Sequence, residues 1–344
     1  MGRRVLVALC ALLLGACDDP LIIIGDLPGF MRVVAGVPNM QGVQTDSIAT
    51  RARLTSPLGI AADSSGILYI SDARSRVLRI TPAGRMRVVL NQDGCADKNC
   101  VGRPQGLAVA PDGAILIADD MSDKVWRLNP SNGDLRALAG TGVHDVAPDG
   151  TLATQAPLSS PSSVAVLPDG RVAFTERNAN RIRVINNDGT LGTIAANLQV
   201  PTAMTVAGDR IYITETGNNT VRAVDIGTGA STHIAGSGLT GLSGDNGPAT
   251  QAAFNFPAGI AVADNNLYVA DLLNNRVRLI NLITGNITTY AGTASTNYSG
   301  NGRPAGETAL LRPTSLAVTN FGFLYISDAG HHIIWRTPIR ANLQ

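Results

Sequence analysis

The chain has 344 residues, of which 44% are hydrophobic, 4% aromatic and 15% charged, and its 27 basic side chains nearly balance its 26 acidic ones. A formal net charge of +1 excludes the strongly basic surface with which nucleic-acid-binding proteins neutralise phosphates. The 37 glycines and 18 prolines favour many short strands joined by tight turns over long helices.

The N-terminal residues predict an export signal. Two arginines precede an apolar run over residues 5–14, which is shorter than the roughly 20 residues that a bilayer span needs. The stretch "LGAC" that ends this region at Cys17 resembles the lipobox of bacterial lipoproteins, in which the cysteine carries lipid and becomes the mature N-terminus. We therefore expect a signal peptide over 1–16, a lipidated tether over 17–30 and a cell-envelope protein, periplasmic or at the surface. The alternative is plain secretion.

Two further cysteines lie close together in the stretch "DGCADKNC", at Cys95 and Cys100. Outside the cytoplasm, such a pair indicates a small-loop disulfide. A metal site would need two or more further ligands, which this loop does not offer. We expect the disulfide, with two free thiols as the alternative.

Six repeats follow in chain order, each with a proline, one or two small or polar residues, an apolar strand, a turn, a second strand that ends in an acid, a polar loop and a third strand. They begin at Pro57, Pro104, Pro161, Pro201, Pro257 and Pro313. Repeated runs of short strands are typical of a β-propeller. A fourth strand follows in five repeats, and the sixth lacks one.

The missing strand has a counterpart near the N-terminus, "MRVVAG" at residues 31–36. We expect this segment to complete the last blade and to close the ring, because closure removes exposed sheet edges. The predicted fold is all-β: a six-bladed β-propeller of four-stranded antiparallel blades, over residues 31–344.

Several stretches resemble NHL repeats as arranged in bacterial NHL-repeat proteins: "NNRVRLI" at 274–280 and the recurring "AG", "GDNGPATQA" and "P.GIAV". The resemblance implies the same six-bladed fold. The departures are mild. Asn275 stands where the family name has His, and His331-His332 is followed by Ile333 rather than Arg.

Recurrent features are expected to serve the fold. Four connections between repeats have the same length of 21 residues: Gly36 to Pro57, Gly140 to Pro161, Gly236 to Pro257 and Gly292 to Pro313. We predict a turn at their polar centre, as in the Gly-Asp-Asn-Gly of residues 244–247, with a calcium or phosphate cradle as the alternative. Trp126 and Trp335, at equivalent third-strand positions, are expected to pack between blades.

An acid ends each second strand: Asp72, Asp119, Glu176, Glu215, Asp271 and Asp328. A carboxylate in all six blades cannot mark a single active site. We expect each to accept hydrogen bonds from the adjoining loop or to pair with a neighbouring base such as Arg76, Arg181 or Arg276.

Enzymatic six-bladed propellers also resemble this fold. Gluconolactonase relatives bind a divalent metal at the central channel through acid and amide side chains, and peptidyl-hydroxyglycine lyases hold zinc there with histidines. The residues that follow the repeat prolines here include no acid and no histidine. We therefore assign no catalytic, cofactor-binding or metal-ligating residue, and neither calcium nor zinc is indicated.

The face that carries the second-to-third loops and the long connections is the expected binding surface, since function tends to lie on loops of a rigid scaffold. The opposite face has only short hairpin turns. The expected function is non-catalytic binding or scaffolding for a protein, peptide or glycan, with a metal-dependent hydrolase or lyase as the alternative. Candidate residues on this face are Gln105, Asp120, Asp123, Arg177, Asn178, Asn218, Asn274, His331 and His332.

Overall fold

The structure, a computed structural model, describes residues 29–42, 47–94 and 99–339. Its strands in these ranges are β1 (Phe30–Ala35), β2 (Ser47–Ile48), β3 (Pro57–Ala62), β4 (Leu68–Asp72), β5 (Arg76–Ile80), β6 (Arg85–Asn91), β7 (Pro104–Val109), β8 (Ile115–Asp119), β9 (Lys124–Leu128), β10 (Leu135–Ala139), β11 (Pro161–Val166), β12 (Val172–Glu176), β13 (Arg181–Ile185), β14 (Leu191–Ala195), β15 (Pro201–Ala207), β16 (Arg210–Glu215), β17 (Thr220–Asp225), β18 (Ser231–Ala235), β19 (Pro257–Ala263), β20 (Asn266–Asp271), β21 (Arg276–Asn281), β22 (Ile287–Ala291), β23 (Arg303–Pro304), β24 (Pro313–Val318), β25 (Phe323–Asp328) and β26 (Ile333–Pro338). Single-turn 3₁₀ helices lie at Ala49–Arg51, Ala153–Gln155, Ala249–Gln251, Leu272–Asn274 and Ala305–Glu307.

The strands form six antiparallel blades, as the sequence predicts. Blades 1 to 5 are the consecutive quartets β3–β6, β7–β10, β11–β14, β15–β18 and β19–β22. Their inner strands follow one another around the axis, and β24 of blade 6 contacts β3 of blade 1. The ring is therefore closed.

Blade 6 takes its outer strand from the other end of the chain. It consists of β24, β25, β26 and β1, with Arg32 opposite Arg336 and Val33 opposite Trp335. This pairing confirms the predicted closure, and the strand begins at Phe30. Two short strands add to the outer edges of blades 6 and 1, where β23 pairs with β1 and β2 pairs with β6.

The core lies between blades. Second strands such as β4 and β8 are buried along their whole length, because each blade is covered on both faces by its neighbours. Trp335 is fully buried against blade 5 residues that include Tyr268, and Trp126 packs with residues of blade 1 that include Tyr69. The predicted packing role of both tryptophans is confirmed.

Inner strands approach one another closely around the axis. A Cβ at Gly59 would lie 2.5 Å from the carbonyl oxygen of Gln105, and one at Gly106 would lie 2.7 Å from the Cα of Ser163. The third residue of each inner strand must therefore be small. Where it is serine, the hydroxyl also accepts a backbone N–H from the next inner strand, as Ser163 does from Met204 at 3.1 Å.

Several predictions fall outside the described residues. These are the signal peptide, Cys17, residues 17–28 of the tether and Cys95 of the expected disulfide. Its partner Cys100 is buried. In the described part of the chain, no helix is long and apolar enough to cross a membrane.

Candidate functional site

The six buried acids fix the segment that leads into the inner strand of their own blade. Each accepts the backbone N–H of the residue two positions before the repeat proline, at 2.7–3.3 Å, as Glu176 does from Ser159 and Asp271 from Asn255. The predicted loop bonds are confirmed. These carboxylates bind the start of each inner strand, so they are unavailable to a ligand.

The predicted basic partners are partly right. Arg76 pairs with Asp72, and Arg181 pairs with Glu176 at 2.5 Å. The predicted pairing of Arg276 with a second-strand acid is wrong. Arg276 donates to backbone carbonyls, and Arg278 reaches the Asp271 carboxylate at 3.5 Å. Burial raises the pKa of Asp271 to about 6, against the opposing effects of its hydrogen bonds and of Arg278.

The 21-residue connections join neighbouring blades at their outer edges. Gly140 at the end of β10 donates its N–H to Ala153 at 2.9 Å, and Ala153 donates to Gly189 in the hairpin of the next blade at 2.9 Å. The same pair of bonds recurs at the connections that contain Ala49, Ala249 and Ala305. The centre of each connection is thus structural, and only its two ends belong to the loop-rich face.

The Asp-Asn-Gly stretch within the connection is a turn, as predicted. Asn246 has a φ of +67°, and the Asp245 carboxylate accepts from Arg278 at 2.8 Å and from Thr289 at 2.6 Å. Asp149 makes the equivalent contacts with Arg183 and Thr193. Since the carboxylates already have these partners, nothing supports a cradle, and no group of three metal-ligating side chains occurs among the described residues.

The last residue of every second-to-third loop has a positive φ: Ser75, Asp123, Asn180, Asn219, Asn275 and His332. In five blades its side chain accepts the backbone N–H that precedes the next repeat proline. Asp123 accepts from Ser160 at 3.1 Å, and His332 accepts through Nδ1 from Ser56 at 3.0 Å. We call this bond the latch. It explains both Asp123 and His332 as inter-blade contacts.

The adjacent histidines have opposite environments. His331 is buried, with Nδ1 2.8 Å from Asp328 and Nε2 2.8 Å from the carbonyl oxygen of Thr296. Burial lowers its pKa, but the bond to Asp328, the charge of Asp328 and the Thr296 carbonyl together outweigh burial and raise it. Burial instead lowers the pKa of His332. Both ring nitrogens of His331 are thus engaged within the protein, and so is Nδ1 of His332.

Four candidates meet at the junction of blades 2 and 3. The fully buried carboxylate of Asp120 accepts two bonds from Arg103, at 2.8 and 2.6 Å, and one from Arg177 at 3.2 Å. Beside them Asp123 contacts His144 at 2.8 Å. The fourth candidate, Asn178, donates to the Ser160 hydroxyl at 3.0 Å.

Sequence reasoning missed the partners Arg103, His144 and Ser160. Arg103 and Ser160 both directly precede a repeat proline, and His144 is the fourth residue after the glycine that begins its connection. Comparing those positions between repeats could have found them.

Two other candidates lie at the junction of blades 4 and 5. Asn274 donates to Gly241 at 2.7 Å, and Asn218 accepts from Thr220 at 2.7 Å. Exposed apolar side chains surround them: Leu239 is 70% exposed, Leu273 49%, Leu242 46% and Phe256 40%. These four were not predicted, because a leucine in a loop gives no sign in the sequence of whether it is buried.

The channel mouth offers little free chemistry. The Ser162 hydroxyl bonds to Pro201 and Thr202 of the next blade at 3.1 and 3.0 Å, and the Thr314 hydroxyl bonds in the same way to Pro57 and Leu58. Gln105 lies on inner strand β7, directly after Pro104, and is half-buried.

Comparison with known proteins agrees with this architecture. The NHL repeat family matches residues 254–278. The chain is 25% identical over 271 residues to the protein SUPPRESSOR OF QUENCHING 1 of Arabidopsis thaliana, covering 71% of this chain and 26% of that protein. It is 23% identical over 290 residues to human NHL repeat-containing protein 2, covering 71% and 40%. The chain thus spans less than half of either relative.

Solved structures show the same fold. An auxiliary nutrient binding protein from Bacteroides ovatus superposes with a TM-score of 0.71 at 16% identity, over 89% of this chain and 76% of that one. A gluconolactonase from Xanthomonas campestris superposes with a TM-score of 0.60 at 16% identity, over 88% and 98%. The chain is a six-bladed β-propeller that contains an NHL repeat and is similar over most of its length to NHL-repeat proteins.

Proposed function

We propose that this chain is a non-catalytic binding propeller, anchored in the cell envelope by a lipid at Cys17, that recognises a protein, peptide or glycan through its loop-rich face. The distribution of exposed large apolar side chains carries the proposal. Nine of the thirteen in the described residues lie on that face: Met40, Met121, Val143, Val146, Val200, Leu239, Leu242, Phe256 and Leu273. Four of them, Leu239, Leu242, Phe256 and Leu273, lie on loop segments that are hydrogen-bonded to one another at blades 4 and 5, and grouped apolar exposure of this kind marks interaction surfaces.

The rigidity of the face also supports binding. The latches and connection bonds fix the loops to neighbouring blades, so little conformational entropy is lost when a ligand binds. The structural likeness to a nutrient binding propeller agrees with this function.

The second candidate is a metal-dependent hydrolase or lyase acting at the channel. Its support is the fold likeness to a gluconolactonase. Against it, the hydroxyls of Ser162 and Thr314 at the channel mouth are used in bonds between blades.

Metal analysis of the purified ectodomain, together with a binding screen, tests the choice. We expect no tightly held zinc or calcium, and we expect binding of a displayed peptide or an arrayed glycan that weakens when exposed residues of the loop-rich face are replaced by serine. One metal ion per chain, lost on Gln105→Ala at the channel mouth, would overturn the proposal in favour of the enzyme.

The anchor has its own test. A Cys17→Ser variant should leave the membrane fraction and appear in the soluble envelope fraction, whereas continued membrane association would contradict the lipid anchor. The Cys95–Cys100 disulfide belongs to the same proposal, because an exported chain meets an oxidising compartment. Mass spectrometry after thiol alkylation should show both cysteines unmodified until the protein is reduced.

A further inference from the structure

Four segments of the loop-rich face at blades 4 and 5 contain no charged residue. We call them the neutral sector, which comprises residues 216–219, 237–243, 255–256 and 272–275. Its side chains are those of glycine, serine, threonine, asparagine, leucine and phenylalanine. Leu239, Leu242, Phe256 and Leu273 are the exposed apolar groups within it.

Hydrogen bonds hold the four segments of the neutral sector against one another. Asn219 donates to the Thr240 hydroxyl at 3.1 Å and accepts from the Phe256 N–H at 2.9 Å. The backbone N–H groups of Leu272 and Leu273 bond to the carbonyls of Phe256 and Asn255. The apolar side chains therefore stand on a preformed frame, which lowers the entropy cost of binding.

Amide groups beside the apolar side chains are available to a ligand. Asn274 uses its Nδ2 in bonds to Gly241 and Asp271, and Asn275 uses its Oδ1 to accept from Arg312. Within the described residues, no hydrogen bond engages Oδ1 of Asn274, Nδ2 of Asn275 or Nδ2 of Asn218. An acceptor and two donors thus surround the apolar groups, as the backbone of an extended peptide requires.

The chemistry of the neutral sector favours an uncharged peptide. A charged group placed among the four apolar side chains would lose its hydration without gaining an opposite charge from these segments. The cations beside the sector, Arg276 and Arg312, lie at its blade 5–6 edge, where they bond to Asn274 and Asn275. Three leucines and one phenylalanine suit apolar side chains, whereas a sugar ring would find a single aromatic face to stack on in this sector, that of Phe256.

The position of the N-terminus argues against a lipid bilayer as the occupant. The N–H of Gly29 bonds to the carbonyl of Pro338 at 3.2 Å, so Gly29 lies at the hairpin end of blade 6. The neutral sector lies on the opposite face. A tether that begins at Cys17 would therefore attach the propeller by the end that carries the hairpins.

We propose that the neutral sector docks an uncharged, apolar stretch of a partner polypeptide in extended form. This inference rests on the proposed function and adds the location and the ligand class. Leu239, Leu242, Phe256 and Leu273 would contact its apolar side chains, and the free amide groups of Asn218, Asn274 and Asn275 would bond to its backbone.

Three libraries of end-capped peptides about 12 residues long, with equal apolar content and neutral, positive or negative net charge, provide the probe. We expect the neutral library to yield the binders of the ectodomain. Replacing both Leu239 and Leu273 by serine should weaken a selected binder about tenfold or more, the size of a hot-spot loss. Fluorescence anisotropy measures the change, and an unchanged melting temperature shows that the variant is folded.

The chain supplies a matched control. Ile283 and Phe321 are exposed apolar side chains in short hairpins of the opposite face, 74% and 46% exposed. Replacing Ile283 and Phe321 by serine should leave affinity within about twofold. Equal loss in both double variants, preference for a charged library, or binding of neutral phosphatidylcholine vesicles through Leu239 and Leu273 would overturn the inference.

Failure of this inference can be told from failure of the proposed function. If selected peptides bind but depend on Arg103 and Arg177, the face binds ligands at the other junction and only the inference is wrong. If a glycan array yields ligands that depend on Leu239 and peptides do not bind, the ligand class is wrong. If nothing binds and the ectodomain holds a channel metal, both proposals fail.

Discussion

The junction of blades 2 and 3 and the junction of blades 4 and 5 have the same backbone framework and opposite surface chemistry. Their connections both span 21 residues, from Gly140 to Pro161 and from Gly236 to Pro257. Both glycines donate to the alanine that begins the 3₁₀ turn at 2.9 Å. In both, the fourth residue after the glycine contacts the latch residue.

The side chains at matched positions differ. Asp123 contacts His144 at the first junction, where Asn219 contacts Thr240 at the second. The first residue of the following second-to-third loop is Arg177 in one and Leu272 in the other, and the residue before the proline is Ser160 in one and Phe256 in the other. The repeat thus fixes where side chains stand and leaves their chemistry free to vary.

Removing Phe30–Ala35 should have the largest effect, because it breaks the ring on which both junctions depend. The deletion leaves β26 as an open edge and blade 6 one strand short. We expect a loss of several kcal/mol, against the roughly 5–15 kcal/mol that holds a domain folded, together with aggregation through the exposed edge. Calorimetry should show a strongly lowered melting temperature.

A circular permutant supplies the control. Linking Ile339 to Gly29 by a short Asn-Gly turn and opening the chain between Ala35 and Gly36 keeps β1 beside β26, since Gly29 and Pro338 are already hydrogen-bonded. The permutant should melt near the wild type. A mild deletion, or a permutant as unstable as the deletion, would contradict the role of β1.

Asp120→Asn should separate the charged junction from the neutral one. The change leaves Arg103 and Arg177 without their shared carboxylate, and we expect the free energy of unfolding to fall by about 1–2 kcal/mol, with Arg103 half exposed and partly screened. Urea unfolding at low and high salt measures it, and the loss should shrink in high salt.

Thr216→Val is the matched change in blade 4. It removes hydroxyl bonds to Thr202 and to the Val200 carbonyl, at 2.9 and 3.1 Å. We expect a cost of about 1 kcal/mol or less that does not depend on salt. Equal salt dependence in the two variants would show that the charges at blades 2 and 3 do not distinguish the junctions.

The smallest effects are expected at His331 and at His332, which makes the third form of the latch. Their pKa values shift in opposite directions, so the two residues should change the pH dependence of stability with opposite signs. His331 has a raised pKa in the folded protein, so its contribution to stability is present below its ordinary value of 6.5 and is lost as pH rises through the folded pKa. His331→Gln should flatten the stability profile above pH 6.5.

His332 has a lowered pKa, so the folded protein binds its proton less tightly and loses stability as pH falls below 6.5. His332→Asn supplies the amide that Asn219 and Asn275 use in the same latch. It should flatten the profile on the acid side. Urea unfolding between pH 5 and 9 measures both variants. If the free energy of unfolding changed with pH in the same direction in both, the opposite pKa shifts assigned to His331 and His332 would be refuted.

The sequence predicts the fold well because the repeat has positions at which the backbone allows few residue types. Prolines that begin inner strands, acids that end second strands and small residues at the axis each have a backbone reason to recur. Even the displaced outer strand at residues 31–36 could be found, since "MRVVAG" matches the outer strands of other blades.

The binding surface is much less predictable. Asp123 and His332 look exceptional in the sequence, yet both make the latch that asparagine makes elsewhere. Phe256 and Leu239 look ordinary, and their importance comes from exposure, which depends on how the connection crosses two blades. Pairs such as Arg103 and Asp120 are formed by residues 17 positions apart whose contact depends on the tertiary fold.

The pairing of the first described strand with the last has a consequence for biosynthesis. Arg32 pairs with Arg336, which is synthesised about 300 residues later. At ordinary synthesis rates β1 therefore has no partner strand for roughly 15–60 s. Until then the largely apolar strand "FMRVVA" has both edges unpaired. The five other blades can fold only as an incomplete arc. Closure of the ring therefore cannot precede the synthesis of β26. A cell that makes this protein must keep its first strand from pairing elsewhere until its last strand has arrived.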